Sequence, residues 1–147
     1  MVVSLDTNVL AYAEDVNGAP KRRIALDLLQ RLPPESTLIA VQALAELFSV
    51  LVKKAGWSRE RARDAVNSWS VSYPLIDTSS SAVLLATELT VRHQLGWWDA
   101  VILSTAAEAR CRIFLSEDLQ EGFTWSGVTV INPFAPRRHP LLDAVLS

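Results

Sequence analysis

The sequence predicts an α/β fold in which helices cover both faces of a mostly parallel sheet. Short β-branched or apolar runs alternate with segments of helical periodicity along the whole chain. The chain has 147 residues, which fits one domain with an ordinary core. Mean hydropathy is +0.20, yet no apolar run approaches the roughly 18 residues that a membrane span requires. We therefore expect one soluble domain that does not associate with membranes.

Cysteine usage and charge narrow the class of protein further. Cys111 is the only cysteine, which excludes an internal disulfide and a cysteine metal cluster. The N-terminal residues lack the basic and long apolar regions of a signal peptide, so we expect a cytoplasmic location. The formal net charge is −2, without the basic excess of many nucleic-acid binders. Any phosphate contact must then come from local basic clusters such as Lys53 and Lys54, although such clusters are more often solvated faces.

The first element is a short buried strand followed by a turn and a helix. The apolar run from Met1 to Leu5 predicts the strand, and Asp6 interrupts it before apolar residues resume at Val9. Asp6 therefore follows the carboxyl end of a strand, where open α/β sheets bind ligands. Taken alone, this stretch fits capping of the next helix by Asp6, Thr7 or Asn8 better than chemistry, so a functional role depends on other acids at the same edge of the sheet.

The next elements are three helices with one strand among them. Apolar residues recur at helical spacing over 24–32, and the β-branched segment 37–40 is typical of a strand. A strongly apolar helix follows from about Gln42 to Lys54 and ends at Gly56. Ser58 is suited to cap a further helix that runs to about Ser70.

The second half of the chain repeats the alternation of strand and helix. Residues 74–77 predict a strand, 81–93 a helix and 100–109 a buried helix. Residues 112–115 and 128–131 predict the last two strands. The tail over 133–140 is proline-rich and extended, and we expect residues 141–146 to form one apolar turn that packs on the body or on a partner.

Glu46 is unusual because it lies in the middle of a helix that is otherwise nearly uncharged. No residue one turn away on that helix is basic, so its charge has no local partner. A cation from another element or a metal ion would compensate the charge. Exposure at the edge of the helix is the alternative.

Two more acids occupy positions that suggest the same site. Asp99 opens the predicted helix 100–109, and Asp118 lies just beyond the predicted strand 112–115. Each has an adequate explanation in helix capping, but together with Asp6 and Glu46 they favour one carboxylate site. Such a hard oxygen site selects Mg²⁺ or Mn²⁺, and hydrolysis of a nucleic-acid phosphodiester suits it best.

Four short motifs occur in order along the chain: Leu5-Asp6-Thr7-Asn8-Val9-Leu10, Ala45-Glu46-Leu47, Trp98-Asp99-Ala100 and Leu115-Ser116-Glu117-Asp118-Leu119. In this combination the chain resembles the PIN-domain ribonucleases, specifically the VapC-like toxins of bacterial and archaeal toxin–antitoxin pairs. The resemblance extends from Val2 to about Phe134. Each motif is weak alone, and the set is specific.

The resemblance implies a PIN-like three-layer α/β/α sandwich over residues 1–134, with residues 135–147 as a tail that is not a separate domain. It also implies Mg²⁺- or Mn²⁺-dependent endoribonuclease activity on an RNA substrate, a homodimer, and inhibition by a cognate antitoxin protein. The alternative is a PIN-like protein that binds RNA or a partner without cutting it.

The resemblance also assigns roles within the acidic site. It implies that the catalytic acids are Asp6, Glu46, Asp99 and Asp118, supported by Asn8 and Ser116. We expect the three aspartates to hold the metal directly or through water. Glu46 would complete the metal shell or position the attacking water.

The remaining alternatives are weaker. A haloacid-dehalogenase-type phosphatase needs a second aspartate where this chain has Asn8, and a receiver domain needs a distal lysine that is missing after Lys54. We expect Glu117 to be exposed to solvent. Trp97 and Trp98 are expected to pack in the core or in a dimer interface rather than to stack on a base.

Overall fold

The computed structural model describes residues 1–147, and its centre is a six-stranded sheet with the strand order β3-β2-β1-β4-β6-β5. Every neighbouring pair is parallel except β5 with β6. The predicted mostly parallel sheet is therefore confirmed. The strands are β1 (Val3–Leu5), β2 (Thr37–Ala40), β3 (Leu75–Ile76), β4 (Ile113–Leu115), β5 (Thr124–Trp125) and β6 (Val128–Ile131).

Seven α-helices surround the sheet, and their packing forms two groups. Helices α1 to α4 contact one another, while α5 packs against α6. The chain moves from β1 to β3 in one direction and then crosses back to β4. Crossovers between parallel strands are almost always right-handed, which puts the two groups on opposite faces of the sheet. The helices are α1 (Thr7–Ala13), α2 (Ala19–Arg31), α3 (Val41–Lys53), α4 (Arg59–Ser72), α5 (Ser80–His93), α6 (Trp97–Glu108) and α7 (Pro140–Leu146).

Local chemistry sets the ends of these helices. Pro20 occupies the first turn of α2, where its missing N–H is not needed. The Ser58 hydroxyl accepts a hydrogen bond from the Arg61 N–H at 3.1 Å and so caps α4 as predicted. Helix α6 begins at Trp97 rather than at the predicted residue 100, and Gly96 is its N-cap residue. Asp99 therefore lies within the first turn of α6 and is not its cap.

Strand β1 lies in the middle of the sheet, between β2 and β4. Leu5 is paired with Ile39 of β2 on one side and with Leu115 of β4 on the other. The chain order reverses between β1 and β4, so a crevice opens outside the carboxyl ends of these two strands. The residues that follow Leu5 and Leu115 lie next to this crevice.

One hydrophobic cluster joins the sheet and the helices. Strands β1, β4 and β6 are buried along their whole length, as expected for central strands covered on both faces. Helix α6 is buried nearly all round. Cys111 is buried in this cluster, and Leu142 of α7 belongs to it as well. None of the helices has the length and apolar character that a bilayer crossing demands.

Candidate active site

Asp6 lies at the carboxyl end of β1 and is 5% exposed. Its N–H donates to the Leu115 carbonyl at 2.9 Å, which fixes it beside β4. Its Oδ1 accepts from the Thr7 N–H at 2.7 Å, so Asp6 is also the N-cap residue of α1. The capping explanation is correct, and it accounts for only one of the two carboxylate oxygens.

The second oxygen of Asp6 is connected to the end of β4. The Ser116 hydroxyl donates to Asp6 Oδ2 at 2.7 Å and accepts from the Asp118 N–H at 3.1 Å. The Asn8 side-chain amide lies 3.4 Å from Asp6 Oδ2 and donates to Asp118 Oδ2 at 3.1 Å. Ser116 and Asn8 therefore hold the two aspartates of β1 and β4 in one cluster.

Glu46 reaches the same crevice from α3. The Thr7 hydroxyl donates to Glu46 Oε2 at 2.9 Å, and the Gln42 side-chain amide donates to Oε1 at 3.0 Å. No cation from another element pairs with Glu46, and both partners are neutral donors. The sequence contained a signal for Gln42, which lies one turn before Glu46 on the same helix. Thr7 gave no signal, because its contact depends on the packing of α1 against α3.

Asp99 approaches from the first turn of α6 and is half-buried. The Gln42 side-chain amide also donates to the Trp98 carbonyl at 3.0 Å, which ties the start of α6 to α3. A Cβ atom at Gly96 would lie 3.4 Å from Asp99 Oδ2, so the carboxylate lies close over the glycine. The chain thus brings all four predicted acids to one edge of the sheet.

The charges of these acids are not neutralised by basic residues. None of the ion pairs in the protein involves Asp6, Glu46, Asp99 or Asp118. Burial raises the pKa of Asp6 to about 6; the charges of Asp118 and Glu46 also raise it, while hydrogen bonds from Ser116 and Thr7 oppose the rise. Burial likewise raises the pKa of Asp99, again with Asp118 and Glu46 contributing.

The donor chemistry of the cluster fits a hard divalent cation. The four acidic side chains offer only oxygen atoms to a metal, and no cysteine or histidine lies among them. No basic side chain neutralises their negative charge. With the side chains as they lie in the structure, no three acidic side chains are close enough together to bind one metal ion. Asn8 instead lies between Asp6 and Asp118. Asp118 is exposed, so its carboxylate has room to turn toward the other acids.

A cleft of about 590 Å³ opens beside the acids. Thr7, Asn8, Glu46 and Asp118 line one part of it, and the lining continues between α1 and α3 to Trp57. Polar groups converge in this cleft, which is typical of a binding site.

Glu117 corrects one prediction. It is half-buried rather than exposed, and its carboxylate accepts hydrogen bonds from Tyr12 and from Lys21, the latter at 2.7 Å. Partial burial opposes ionisation, but the bonds from Lys21 and Tyr12 lower the pKa of Glu117. The Lys21 ammonium also lies 4.8 Å from the centre of the Tyr12 ring. This group, which we call the Glu117 clamp, fixes the turn that carries Asp118.

Trp97 and Trp98 are not packed in the core, which excludes one of the two environments predicted for them. Trp98 is 64% exposed, and Trp97 is also partly open to solvent. The two rings are tilted against each other with centroids 6.4 Å apart. The expectation that they lie in a dimer interface remains a prediction.

Comparison with known families and structures gives a consistent result. The family model of the PIN domain matches residues 3–121, which is most of the chain and contains all four acids. Comparison with curated protein sequences finds no match.

Several solved structures share the fold at low sequence identity. A toxin–antitoxin complex from Klebsiella pneumoniae is 23% identical, with a TM-score of 0.67 over 89% of this chain and 97% of the other. Mycobacterium tuberculosis VapC20, a sarcin–ricin loop cleaving toxin, is 18% identical, with a TM-score of 0.65 over 76% and 86%. VapBC2 from Rickettsia felis, bound to a promoter DNA fragment, is 21% identical, with a TM-score of 0.61 over 80% and 89%. At these identities the likeness shows the fold.

Proposed function

Because the chain belongs to the PIN-domain family, we propose that it is a Mg²⁺- or Mn²⁺-dependent endoribonuclease and the toxin of a toxin–antitoxin pair. The observation that carries this proposal is the convergence of four carboxylates without a cation at the crevice between β1 and β4. Asp6 and Asp99 have raised pKa values because burial disfavours their ionised forms and because Asp118 and Glu46 place further negative charge nearby. A divalent cation would relieve this repulsion and is the natural counter-ion.

The four acids have different roles in the proposed site. Asp6, Asp99 and Asp118 would hold the ion, directly or through water. When bound, Mg²⁺ or Mn²⁺ supplies positive charge to the phosphate under attack and to the attacking water. Glu46 already has one donor on each carboxylate oxygen, so its orientation is fixed. A fixed carboxylate at the rim of the ion site can accept a hydrogen bond from the attacking water and direct it.

Ser116 and Asn8 keep these groups in place. Ser116 links the buried Asp6 to the backbone of Asp118, and Asn8 spans the gap between the two carboxylates. Hydrolysis adds water across the bond between phosphorus and the 3′ oxygen. The products are fragments with a 5′-phosphate and a 3′-hydroxyl.

The partners follow from the same proposal. Solved structures that share the fold include toxin–antitoxin complexes from Klebsiella pneumoniae and Rickettsia felis. By analogy we propose a cognate antitoxin for this chain, together with a homodimeric active form and a cytoplasmic location. We propose residues 1–134 as the functional domain and 135–147 as its tail, which packs on the domain through Leu142.

Cleavage of a random-sequence RNA oligonucleotide pool tests the proposal. The purified chain should cut the pool with Mn²⁺ or Mg²⁺ and should not cut it with EDTA. Glu46→Gln and Asp99→Asn remove one charge each with little change in volume, and each should lower cleavage by at least about 100-fold if the acids act as proposed. Asp77→Asn, at an exposed acid outside the cluster, is the matched control. A folded chain that binds RNA and leaves it intact with either metal would support the non-cleaving alternative.

A further inference from the structure

The cleft beside the four acids extends along one side of α3. Glu46, Val50 and Lys54 line it at intervals of four residues, so they lie on one face of the helix and at its end. Eight residues of helix span about 12 Å. The cleft therefore continues well beyond the acids, and its far end is separate from the reacting phosphate.

Trp57 closes this far end. Gly56 has a φ of 72°, a left-handed conformation that ends α3 and reverses the chain. The Trp57 N–H then donates to the Leu51 carbonyl at 2.9 Å, which anchors the residue against the helix. Trp57 is one of the residues that line the cleft.

Arg61 packs on one face of the Trp57 ring. Its guanidinium carbon lies 3.6 Å from the centre of the Trp57 ring, and Arg61 is not among the residues that line the cleft. The ring is thus fixed in place between Arg61 and the core, and Trp57 remains partly exposed where it lines the cleft. A rigid, partly open indole is a good platform for a planar ligand.

Lys54 supplies positive charge at this end of the cleft. It is the only basic residue that lines the cleft, and it is exposed without an ion-pair partner. Asp15, Glu46 and Asp118 are the acidic lining residues. Glu46 and Asp118 therefore make one end of the cleft acidic, whereas Lys54 and Trp57 add an unpaired ammonium and an indole at the other end, and Asp15 also lies in the lining.

We propose that this far end is a binding site for one unpaired nucleotide of the RNA strand. Its base stacks on Trp57, and the adjoining phosphate pairs with Lys54. Stacking requires a base that is not held in a duplex, so the site selects single-stranded or loop RNA. The distance from Glu46 makes this a nucleotide that flanks the cleaved bond. The inference rests on the proposed ribonuclease function and adds the form of RNA that the site accepts.

Binding of a fluorescein-labelled, random-sequence RNA oligonucleotide tests the proposal. The assay uses the Asp6→Asn protein with Mn²⁺ so that the probe is not cut. Trp57→Leu keeps an apolar side chain and removes the aromatic face, and it should weaken binding about 5- to 150-fold. Trp57→Phe keeps the face and should bind much more tightly than Trp57→Leu. A purely structural role for Trp57 would give the two variants similar affinities.

Lys54→Met should reduce the slope of log affinity against log salt by about 0.7, the value of one phosphate contact on a single strand. Lys53→Met is the matched control, because Lys53 is exposed and does not line the cleft. A 5-iodouridine-substituted probe should cross-link to Trp57, as located by mass spectrometry.

The outcomes separate this proposal from the function on which it rests. Equal RNA binding by Trp57→Leu and the parent overturns the nucleotide site, even if the unmodified chain cuts RNA. Cross-linking at Trp57 with no metal-dependent cleavage overturns the ribonuclease and supports the nucleotide site. Loss of binding to a protein partner in Trp57→Leu, with RNA affinity unchanged, would make the cleft a protein docking site and also overturn the proposal.

Discussion

At the scale of single residues, the central feature is the burial of the Asp6 carboxylate, because burial of an ionised carboxylate destabilises the folded protein. Asp6 has a pKa of about 6 in the folded chain, against about 3.9 when unfolded. The ionised form therefore destabilises the metal-free fold by up to about 3 kcal/mol. Such a cost is typical of residues kept for chemistry rather than for stability.

Asp6→Asn should therefore stabilise the metal-free protein. Because the folded pKa lies above the unfolded one, the penalty is complete above pH 6 and disappears as the pH falls toward 4. In EDTA at pH 8 we expect a gain of about 1–3 kcal/mol, which raises the Tm by about 5 °C for a chain of this size. The gain should vanish near pH 4. Thermal denaturation across this range is the measurement, with Asp77→Asn as the control, and a lower Tm for Asp6→Asn at pH 8 would contradict the argument.

The contacts of Asn8 lead to a second prediction at the scale of single residues. Its side-chain amide contacts both Asp6 and Asp118, and its own oxygen accepts from the Glu117 N–H at 3.4 Å. Asn8→Ala should weaken Mn²⁺ binding by about 10- to 100-fold, as is common when a residue that orients metal ligands is removed. Calorimetric titration with Mn²⁺ measures this directly. Unchanged affinity would show that Asn8 does not organise the two aspartates.

At the scale of elements, the turn after β4 depends on α1 and α2. The Glu117 clamp joins that turn to Tyr12 on α1 and to Lys21 on α2. Asp118 is the next residue, so the clamp sets the direction from which it enters the site. A short turn without this support would place Asp118 less accurately.

Lys21→Met tests the clamp. The ion pair is partly exposed, with 39% of the Lys21 side chain accessible, so its loss should cost no more than about 1 kcal/mol of folding free energy. Cleavage should fall severalfold, mainly in kcat, because Asp118 is displaced while the cleft is intact. Arg31→Met removes a comparable surface ion pair with Asp27 and should leave cleavage unchanged. Equal kcat for both variants would contradict the role of the clamp.

The elements also show what sequence patterns can and cannot predict here. Strands 37–40 and 128–131 were predicted with the bounds of β2 and β6, because both are unbroken runs of β-branched and apolar residues. Strand β5 was missed: it has two residues, and it exists only through antiparallel pairing with β6. The four acids could be proposed from the sequence because three of them lie at strand or helix ends. Glu117 was misjudged because its partner Lys21 is 96 positions away in sequence, which no local pattern reveals.

At the scale of the whole molecule, the surface carries apolar groups that a monomer leaves open. Leu84 and Val91 lie two turns apart on α5, and both are exposed. Trp97 and Trp98, at the start of the neighbouring α6, are also partly or largely open. Exposed apolar surface of this kind is typical of protein–protein interfaces.

The proposed homodimer should use this surface. We expect sedimentation equilibrium to give twice the chain mass of 16.2 kDa. Charges introduced together by Leu84→Glu and Val91→Glu should shift the protein toward monomer, because they would be buried without partners in the interface. Val71→Glu, at an exposed position on α4, is the control. A dimer that survives the double substitution would place the interface elsewhere.

The most direct test of the central claim, that the four acids form a metal-dependent ribonuclease site, is cleavage of purified total cellular RNA. The chain is incubated with Mg²⁺ or Mn²⁺, beside an EDTA control and the Asp6→Asn variant, and the fragment ends are sequenced. We predict discrete fragments with 5′-phosphate ends that both controls lack. Intact RNA from a folded, metal-supplied and antitoxin-free sample, or fragments that persist with Asp6→Asn, would contradict the assignment.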